Sequence, residues 1–308
     1  MIAFDRVTKK YGAVTALKEV SFQVSSGRIV GLLGRNGAGK TTAQHILSGD
    51  SPPTRGTVTI EGLSMAEQSR ACKRKIGYLP ERPPLYEELT VEEYLNFVCD
   101  LKEVLPRARR AHVEEILERC GLRDVRHRLT GHLSRGYRQR TGIAQALCGN
   151  PDLLILDEPT AGLDPKQTAE MRTLIRQLGE GHTVIFSSHI LSEVQQLCSG
   201  AVILKEGRLV RCLDLTAPEG NLVRLRITAA GEEKRLLPAL KALPCVRTAE
   251  QLESAPGECR LRLICERNGS GGRAEDQIFR LLGELNAPLR ELTEERQTLE
   301  ELFLRDTE

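Results

Sequence analysis

The chain has 308 residues, of which 40% are hydrophobic and 28% charged, proportions that are ordinary for a globular protein. Lysine and arginine number 44 and aspartate and glutamate 42, so the formal charge is only +2 and no nucleic-acid partner is expected. No apolar run approaches the roughly 18 residues that a membrane span needs, and the N-terminal residues lack the apolar core of a signal peptide. Nine cysteines without a Cys-x-x-Cys pair indicate buried, reduced thiols in a cytosolic protein.

The first part of the chain alternates in short β-like segments punctuated by Gly12 and Gly27. We predict separate strands over residues 14–17 and 20–24, followed by an apolar strand over residues 28–33. Similar apolar runs occur at residues 153–156 and 183–186, as is typical of strands buried on both faces of a parallel sheet. Helical periodicity between these runs predicts an α/β body with crossover helices.

Residues from about 87 to 150 differ from this body, because they are helical in pattern and poor in β-branched residues. The segment Thr-Val-Glu-Glu at 90–93 fits a capping box, in which Thr90 and Glu93 each satisfy a free backbone N–H. A charged amphipathic helix is predicted over residues 108–120. These features indicate a helical insert within the α/β body, which as one domain would span residues 1–214.

The character of the chain changes again near residue 214. Residues 215–221 have the composition of a linker, and residues 222–308 then predict strand, helix, two strands, helix and strand. The predicted elements are strands at 222–227, near 246 and at 260–265, a helix over 232–243, and, after a glycine-rich loop at 268–272, a second helix and a last strand. This βαββαβ order predicts a small ferredoxin-like α+β domain.

The segment Gly-Arg-Asn-Gly-Ala-Gly-Lys-Thr at 34–41 fits the phosphate-binding pattern Gly-x-x-x-x-Gly-Lys-Ser/Thr. Glycines let the backbone curl so that its N–H groups face phosphate oxygens, and the helix that begins there favours an anion. In such a loop Lys40 would reach the β- and γ-phosphates and the Thr41 hydroxyl would bind Mg²⁺. The pattern predicts a P-loop nucleotide-binding fold.

A second signal is the apolar strand Leu-Leu-Ile-Leu at 153–156, which is followed by Asp157 and Glu158. Parallel sheets place their ligands at the carboxyl ends of their strands. Asp157 would hold Mg²⁺ through its shell, and Glu158 would polarise the attacking water. Taken alone, this carboxylate pair could instead cap a helix; together with the phosphate loop it predicts an NTPase site.

The class of NTPase is indicated by further motifs. No asparagine is followed by lysine, so the guanine-reading motif Asn-Lys-x-Asp is absent. The segment Leu-Ser-Arg-Gly at 133–136 stands before Asp157, and Leu-Ile-Leu-Asp-Glu-Pro-Thr at 154–160 is followed by Ala-Gly-Leu-Asp and then by Ser-Ser-His at 187–189. With Tyr11 and the phosphate loop, this ordered set resembles the ATP-binding-cassette (ABC) ATPases of membrane transporters over residues 1 to about 215.

The resemblance implies roles for individual residues. Ser134, Arg135 and Gly136 would be the signature that binds the γ-phosphate held by a partner chain, with Ser134 as the N-cap of a helix starting at Gly136. Asp164 would contact the partner, and His189 would contact the γ-phosphate. ATP would be bound by Tyr11, stacked on adenine unless it is an ordinary strand-edge tyrosine, and by the phosphate loop with the residue after it: Gly34, Arg35, Asn36, Gly37, Ala38, Gly39, Lys40, Thr41 and Thr42.

Two positions depart from the family pattern. The signature has Arg135 and Tyr137 where glycines or glutamine are usual, and Arg135 either adds charge near the γ-phosphate or points to solvent. Glu81 follows the Gly-Tyr-Leu strand at 77–79, in a place where the family usually has a glutamine that touches Mg²⁺ and the attacking water. A carboxylate also supplies an acceptor oxygen to the metal; the alternative is a solvated loop glutamate.

The sequence is therefore expected to be the ATP-hydrolysing, Mg²⁺-dependent subunit of an ABC transporter that dimerises head to tail, with itself or a similar ATPase. Separate permease subunits would place it peripherally on the inner face of the membrane. The segments at 78–81, 133–140 and 299–304 resemble the ABC-2-type export branch, which includes ATPases of gliding-motility and copper-processing systems. Two alternatives stay open: a soluble ABC ATPase of the repair or translation type, and an ATPase gated by a small molecule that binds the C-terminal domain.

Overall fold

A computed structural model describes residues 1–216, 222–253, 255, 257–269, 272–295, 299 and 303. The described residues fall into two compact units, the first built on Met1–Thr216 and the second within Ala217–Leu302. Most of the predicted linker, residues 270 and 271 of the glycine-rich loop, and residues 300–302 and 304 of the export-branch segment lie outside the described residues. In the described part of the chain, no helix has the length and apolar character needed to cross a bilayer.

The first unit begins with an antiparallel sheet in the order β2-β1-β4-β5. Its strands are β1 (Ile2–Tyr11), β2 (Val14–Val24), β4 (Arg55–Ile60) and β5 (Leu63–Ser64), and β3 (Ile29–Leu33) belongs to the next sheet. The prediction of two strands between residues 14 and 24 is wrong, because β2 is continuous. It passes Glu19 at φ 51° and pairs with β1 through register shifts between Phe4 and Lys10, so the polar break in the pattern is a bulged region within one strand.

The central sheet has the order β10-β9-β3-β8-β7-β6, in which every neighbouring pair is parallel except β9 and β10. Every residue of β3, β7 and β8 is buried, as the apolar runs predict for strands covered on both faces. Because β3, β8, β7 and β6 are adjacent and parallel, their carboxyl ends meet at one edge. The strands are β6 (Ile76–Leu79), β7 (Leu153–Asp157), β8 (Thr183–Ser187), β9 (Gly200–Lys205) and β10 (Arg208–Asp214).

The helices of the first unit include the predicted insert. Thr90 caps α3 through the predicted capping box, with the Glu93 carboxylate accepting from the Thr90 N–H at 2.9 Å. Helix α5 crosses β6 so closely that a Cβ on Gly77 would lie 1.9 Å from the Ala146 carbonyl oxygen, which ties the insert to the sheet edge. The helices are α1 (Lys40–Ser48), α2 (Ser69–Arg74), α3 (Val91–Leu101), α4 (Pro106–Arg119), α5 (Arg135–Leu147), α6 (Pro165–Gly179) and α7 (Leu191–Leu197).

The second unit is a four-stranded antiparallel sheet in the order β12-β13-β11-β16 with two helices. Alternate residues of β11 and β13 are buried and share one core with apolar residues of both helices. This is the βαββαβ arrangement that the sequence predicts. Its elements are β11 (Leu222–Ala230), α8 (Glu233–Lys241), β12 (Val246–Gln251), β13 (Glu258–Glu266), the short pair β14 (Asn268–Gly269) and β15 (Gly272–Arg273), α9 (Ala274–Glu284) and β16 (Leu289–Glu294).

All nine cysteines are free, and all but Cys212 are buried. Burial raises the pKa of the Cys120 thiol to about 12, so this side chain behaves as a small apolar group. Eight of the nine cysteines are therefore buried, as expected, and Cys212 is the exception.

Candidate functional site

The glycine-rich loop joins β3 to α1 at the common edge of the central sheet. Gly37 and Gly39 have φ values of 80° and 104°, in the left-handed region that glycine tolerates. Gly39 precedes the first residue of α1, and no side chain caps this helix. A Cβ on Gly39 would lie 2.8 Å from the Ala16 carbonyl oxygen, so the loop has no room for a side chain at this position. An uncapped helix end beneath a curled backbone is a site suited to phosphate.

Lys40 lies at the start of α1 and points back along the loop. Its Nζ donates to the carbonyl oxygen of Gly34 at 2.7 Å and, more weakly, to that of Arg35 at 3.4 Å. Burial lowers the pKa of the Lys40 ammonium, and the nearby carboxylates of Glu158 and Asp157 oppose this shift. The cation is thus partly desolvated and close to both carboxylates. At such a place it would form a strong charge-assisted hydrogen bond to a phosphate anion.

Asp157 and Glu158 follow β7 and are held by the neighbouring strand β8. The Ser187 hydroxyl donates to Asp157 Oδ1 at 2.6 Å and accepts from the Glu158 N–H at 3.0 Å. Asp157 is buried, and Glu158 adopts φ 47°, an uncommon conformation for a residue with a side chain. Strained backbone of this kind persists where surrounding contacts fix it, often at functional sites.

His189 extends from the loop after β8 toward Glu158. Its Nδ1 lies 2.7 Å from Glu158 Oε2, while 63% of the histidine side chain and 17% of the glutamate side chain are exposed. The structure therefore brings Lys40, Asp157, Glu158 and His189 together, as the sequence predicts. A carboxylate paired with an exposed histidine can orient a water and accept its proton.

Tyr11 ends β1 and is 48% exposed. The Nζ of Lys9 lies 5.0 Å from the centroid of its ring, at cation–π distance. Lys9 is itself fixed, since its Nζ donates to the Pro52 carbonyl at 2.7 Å. The ring therefore combines a supported position with exposed surface, as a stacking platform for a base requires.

The predicted signature residues form a second group. Helix α5 begins at Arg135, one residue earlier than predicted, and Ser134 is its N-cap, accepting from the Tyr137 N–H at 3.5 Å. Gly136 is buried, and a Cβ there would lie 3.1 Å from the Gln167 side chain. The N–H of Gln167 is in turn bound by Asp164 Oδ1 at 2.8 Å. The signature and the predicted dimer-contact loop are therefore neighbours within one chain.

Arg135 lies alongside that dimer-contact loop. A Cβ on Gly162 would be 2.3 Å from the Arg135 guanidinium carbon, and Gly162 has φ 68°. Arg135 is nevertheless exposed. Arg135 therefore also packs against the loop that precedes Asp164, and the two alternatives given for its side chain stay predictions.

Glu81 lies two residues beyond β6, at the same sheet edge. Its side chain is exposed, and its carbonyl oxygen accepts from the buried Gln139 of α5 at 3.3 Å. A groove of about 400 Å³ is lined by Glu81, Arg82, Pro83, Arg135, Arg138 and Gln139. The backbone of Glu81 is thus tied to the signature helix, while its carboxylate is accessible.

The donor set suits a magnesium ion that is shared with a nucleotide rather than enclosed by protein. Among the described residues, no group of three or more His, Cys, Asp or Glu side chains is placed to hold a metal. Mg²⁺ usually keeps several waters and binds one or two carboxylates plus substrate phosphates. Asp157 Oδ1 accepts from the Ser187 hydroxyl, so Oδ2 is the Asp157 oxygen that could face the metal, and Thr41 is exposed beside Lys40.

Ser187 is the residue of this site whose role sequence reasoning missed. The sequence places it two residues before His189, but its contact with Asp157 depends on the pairing of Asp157 with Ser187 across β7 and β8. The available signal was a polar residue at the end of an otherwise apolar strand.

Comparisons with known proteins indicate the family of this chain. Residues 17–161 match the family model described as ABC transporter. A bacitracin transport ATP-binding protein of Enterococcus faecalis is 37% identical over 70% of each chain. A lantibiotic transport ATP-binding protein of Streptococcus pyogenes is 38% identical over 68% of this chain and 89% of its own length.

Solved structures give the same result for the fold. A dimeric bacterial ABC transporter cassette, and its post-hydrolysis state bound to ADP and phosphate, each superpose with a TM-score of 0.65 at 28% identity. Each match covers 71% of this chain and the whole of the solved one. The chain therefore belongs to the family of ABC transporter ATP-binding proteins, and it is an ATP-hydrolysing cassette of their export branch.

Proposed function

We propose that two copies of this chain bind ATP head to tail, so that each ATP lies between the phosphate loop of one copy and the signature of the other. The observation that supports this most is that the contacts of the site residues fall into two groups. Lys40, Asp157, Glu158 and His189 form one group, and Ser134 and Gly136 belong to another that is linked to Asp164. The solved relative is a dimeric cassette.

Each group has a chemical task in this arrangement. The phosphate loop and Lys40 bind the β- and γ-phosphates, and Tyr11 supports the adenine. Glu158 accepts a proton from the attacking water, and His189, 2.7 Å away, keeps the Glu158 carboxylate oriented and contacts the γ-phosphate. Mg²⁺, held by Thr41, Asp157 and Glu81, would neutralise phosphate charge. The α5 N–H groups that Ser134 leaves free meet the γ-phosphate of the partner's ATP.

The cassette works beneath a separate permease in this proposal, on the cytoplasmic face of the membrane, as its family membership implies. Residues 1–214 form the ATPase domain, and residues 222–308 form an accessory domain after the linker at 215–221. The described division after Thr216 supports a boundary near residue 214, although the second unit ends at Leu302 rather than at residue 308. The compounds in the relatives' names, bacitracin and lantibiotics, do not identify the cargo of this chain.

The proposal is tested with the substitution Ser134→Arg. A monomer of this variant should bind ATP with wild-type affinity, because Ser134 lies outside the phosphate-loop group. Its ATP-dependent dimer should be lost, since the new side chain removes the helix cap and fills the space for the partner's γ-phosphate. Nucleotide titration and gel filtration with ATP measure the two properties. A Ser134→Arg chain that still dimerises with ATP would refute the head-to-tail site.

Glu81 is tested by a pair of substitutions. Glu81→Gln should keep ATP turnover within about tenfold of wild type, because the amide oxygen can still face the metal shell. Glu81→Ala should lose considerably more, since no acceptor remains. Glu88→Ala, another exposed glutamate of the same segment, is the matched control and should be fully active. Equal activity of Glu81→Ala and Glu88→Ala would make Glu81 a solvated loop residue.

A further inference from the structure

A buried carboxylate outside the groups already described joins two of the loops of the site. Glu193 lies in α7 and is 2% exposed. Its Oε2 accepts from the Thr160 hydroxyl and from the Ser188 hydroxyl, both at 2.8 Å. Thr160 and Ser188 are also buried, so each of these polar groups depends on the others for its hydrogen bonds.

The Ser188 hydroxyl belongs to the loop that carries His189. Ser188 immediately precedes the histidine, and its Oγ also accepts from the Ile190 N–H at 3.0 Å. The Ser188 hydroxyl therefore bridges the backbone on the far side of His189 to Glu193. This pair of bonds fixes the turn from which the imidazole extends toward Glu158.

The Thr160 hydroxyl belongs to the loop that leads to Asp164. Thr160 follows Glu158 by two residues, and its carbonyl oxygen accepts from the Leu163 N–H at 3.2 Å. The adjacent Ala161 N–H donates to the Glu158 carbonyl at 3.0 Å. Thr160 is thus the anchor at the start of the predicted dimer-contact loop.

The two serines before His189 bind different carboxylates. Ser187 binds Asp157 Oδ1 and the Glu158 N–H, whereas Ser188 binds Glu193. The contact through Ser187 fixes the carboxylates relative to β8. The contact through Ser188 and Glu193 fixes the loop of His189 relative to the dimer-contact loop.

We propose that Glu193 is a positioning residue for ATP hydrolysis, which holds the His189 loop and the dimer-contact loop in one fixed arrangement. This inference rests on the proposed function, because the roles of His189 and of the dimer-contact loop belong to it. Glu193 is not bonded to the phosphate loop in the contacts described above, so its removal should slow turnover without weakening the initial binding of ATP. Removal of a supporting hydrogen-bond partner typically costs about 10- to 100-fold in activity.

The test compares Glu193→Leu with Glu193→Gln. The leucine removes the acceptor at similar size and should lower kcat by about 10- to 100-fold, with ATP affinity of the monomer within about threefold of wild type. The glutamine oxygen can accept both hydroxyls, so Glu193→Gln should keep kcat within about threefold. Glu180→Leu, an exposed glutamate after α6, controls for the charge change. Wild-type kcat in Glu193→Leu, or equal losses in the Leu and Gln variants, would overturn the inference.

Single hydroxyl deletions keep the test valid if Glu193→Leu does not fold. Ser188→Ala should lower kcat because it frees the His189 loop. Thr160→Val, which keeps the side-chain shape, should weaken the ATP-dependent dimer of a Glu158→Gln background. Each deletion should have little further effect in a Glu193→Leu background, or in a Glu193→Ala background if Glu193→Leu does not fold. The reason is that the effects of partners in one hydrogen-bond network are not additive. Fully additive effects would overturn the inference.

Failure of the inference can be told apart from failure of the proposed function. If Glu158→Gln and His189→Ala lower turnover and Glu193→Leu does not, only the role of Glu193 is wrong. If Glu158→Gln and His189→Ala are themselves fully active, the proposed site is wrong.

Discussion

Replacing Glu158 with glutamine is expected to lower ATP turnover by about a hundredfold or more while ATP binding stays intact. A positioned general base contributes roughly that factor, and an amide cannot accept the proton of the attacking water. Binding should survive because Lys40 and the phosphate loop are unchanged, and the structure places Glu158 against His189 rather than within the loop. Phosphate release at saturating ATP and nucleotide titration measure the two properties separately.

The same Glu158→Gln variant should accumulate an ATP-bound dimer in gel filtration, because the dimer would no longer be released by hydrolysis. Glu170→Gln is a suitable control, since Glu170 lies on α6 and pairs with Arg140 at 2.7 Å outside the carboxylate group. Turnover near the wild-type value in Glu158→Gln would remove Glu158 from the role of base.

Replacing Lys40 with alanine is expected to abolish tight ATP binding, with an increase in Kd of about 100-fold or more. Charge-assisted hydrogen bonds to phosphate are among the strongest polar contacts, and Lys40 is the loop cation whose Nζ points back along the loop, 2.7 Å from the Gly34 carbonyl oxygen. Its position beside Asp157 and Glu158 adds to the effect, because its removal leaves two carboxylates facing the nucleotide. Nucleotide titration by calorimetry measures the change.

The control for Lys40→Ala is Lys234→Ala, which removes an exposed lysine of the second unit and should not change ATP affinity. An ATP affinity within about threefold of wild type in Lys40→Ala would show that the phosphate-loop assignment is wrong. Folding of both variants is checked by thermal unfolding, where little change is expected for either substitution.

The parts of the structure that could be predicted from sequence are those set by local patterns. The phosphate loop is a contiguous segment whose glycines and lysine carry their own geometry, and the apolar runs at 153–156 and 183–186 became strands β7 and β8. The Thr90 capping box and the Ser134 cap depend on contacts three residues apart. Local chemistry decides such features, so sequence reading finds them.

The parts that could not be predicted depend on which strands become neighbours. Ser187 meets Asp157 across 30 residues, and Glu193 meets Thr160 across 33. The first contact follows from the pairing of β7 with β8 and the second joins α7 to the loop after β7, and no single segment encodes either. The side chain of Arg135 is a similar case, because its packing against Gly162 requires the relative placement of two loops.

The continuity of β2 shows a different limit of predicting strands from the local sequence pattern. Residues 14–24 contain a polar interruption that breaks the alternating pattern, and the prediction divided the strand there. In the structure β1 supplies hydrogen-bonding partners on both sides of the interruption. Cross-strand pairing therefore outweighs the local pattern.

The central claim, a site shared between two copies, is tested most directly by mixing two inactive variants. Lys40→Ala loses the phosphate loop of its own chain, and Ser134→Arg loses the signature that serves the partner. A mixed dimer contains one site with both defects and one with neither, so the mixture should recover up to about a quarter of wild-type ATPase activity, assuming random pairing and independent sites. Each variant alone should stay inactive at the same total concentration. A mixture no more active than its separate components would contradict the shared site.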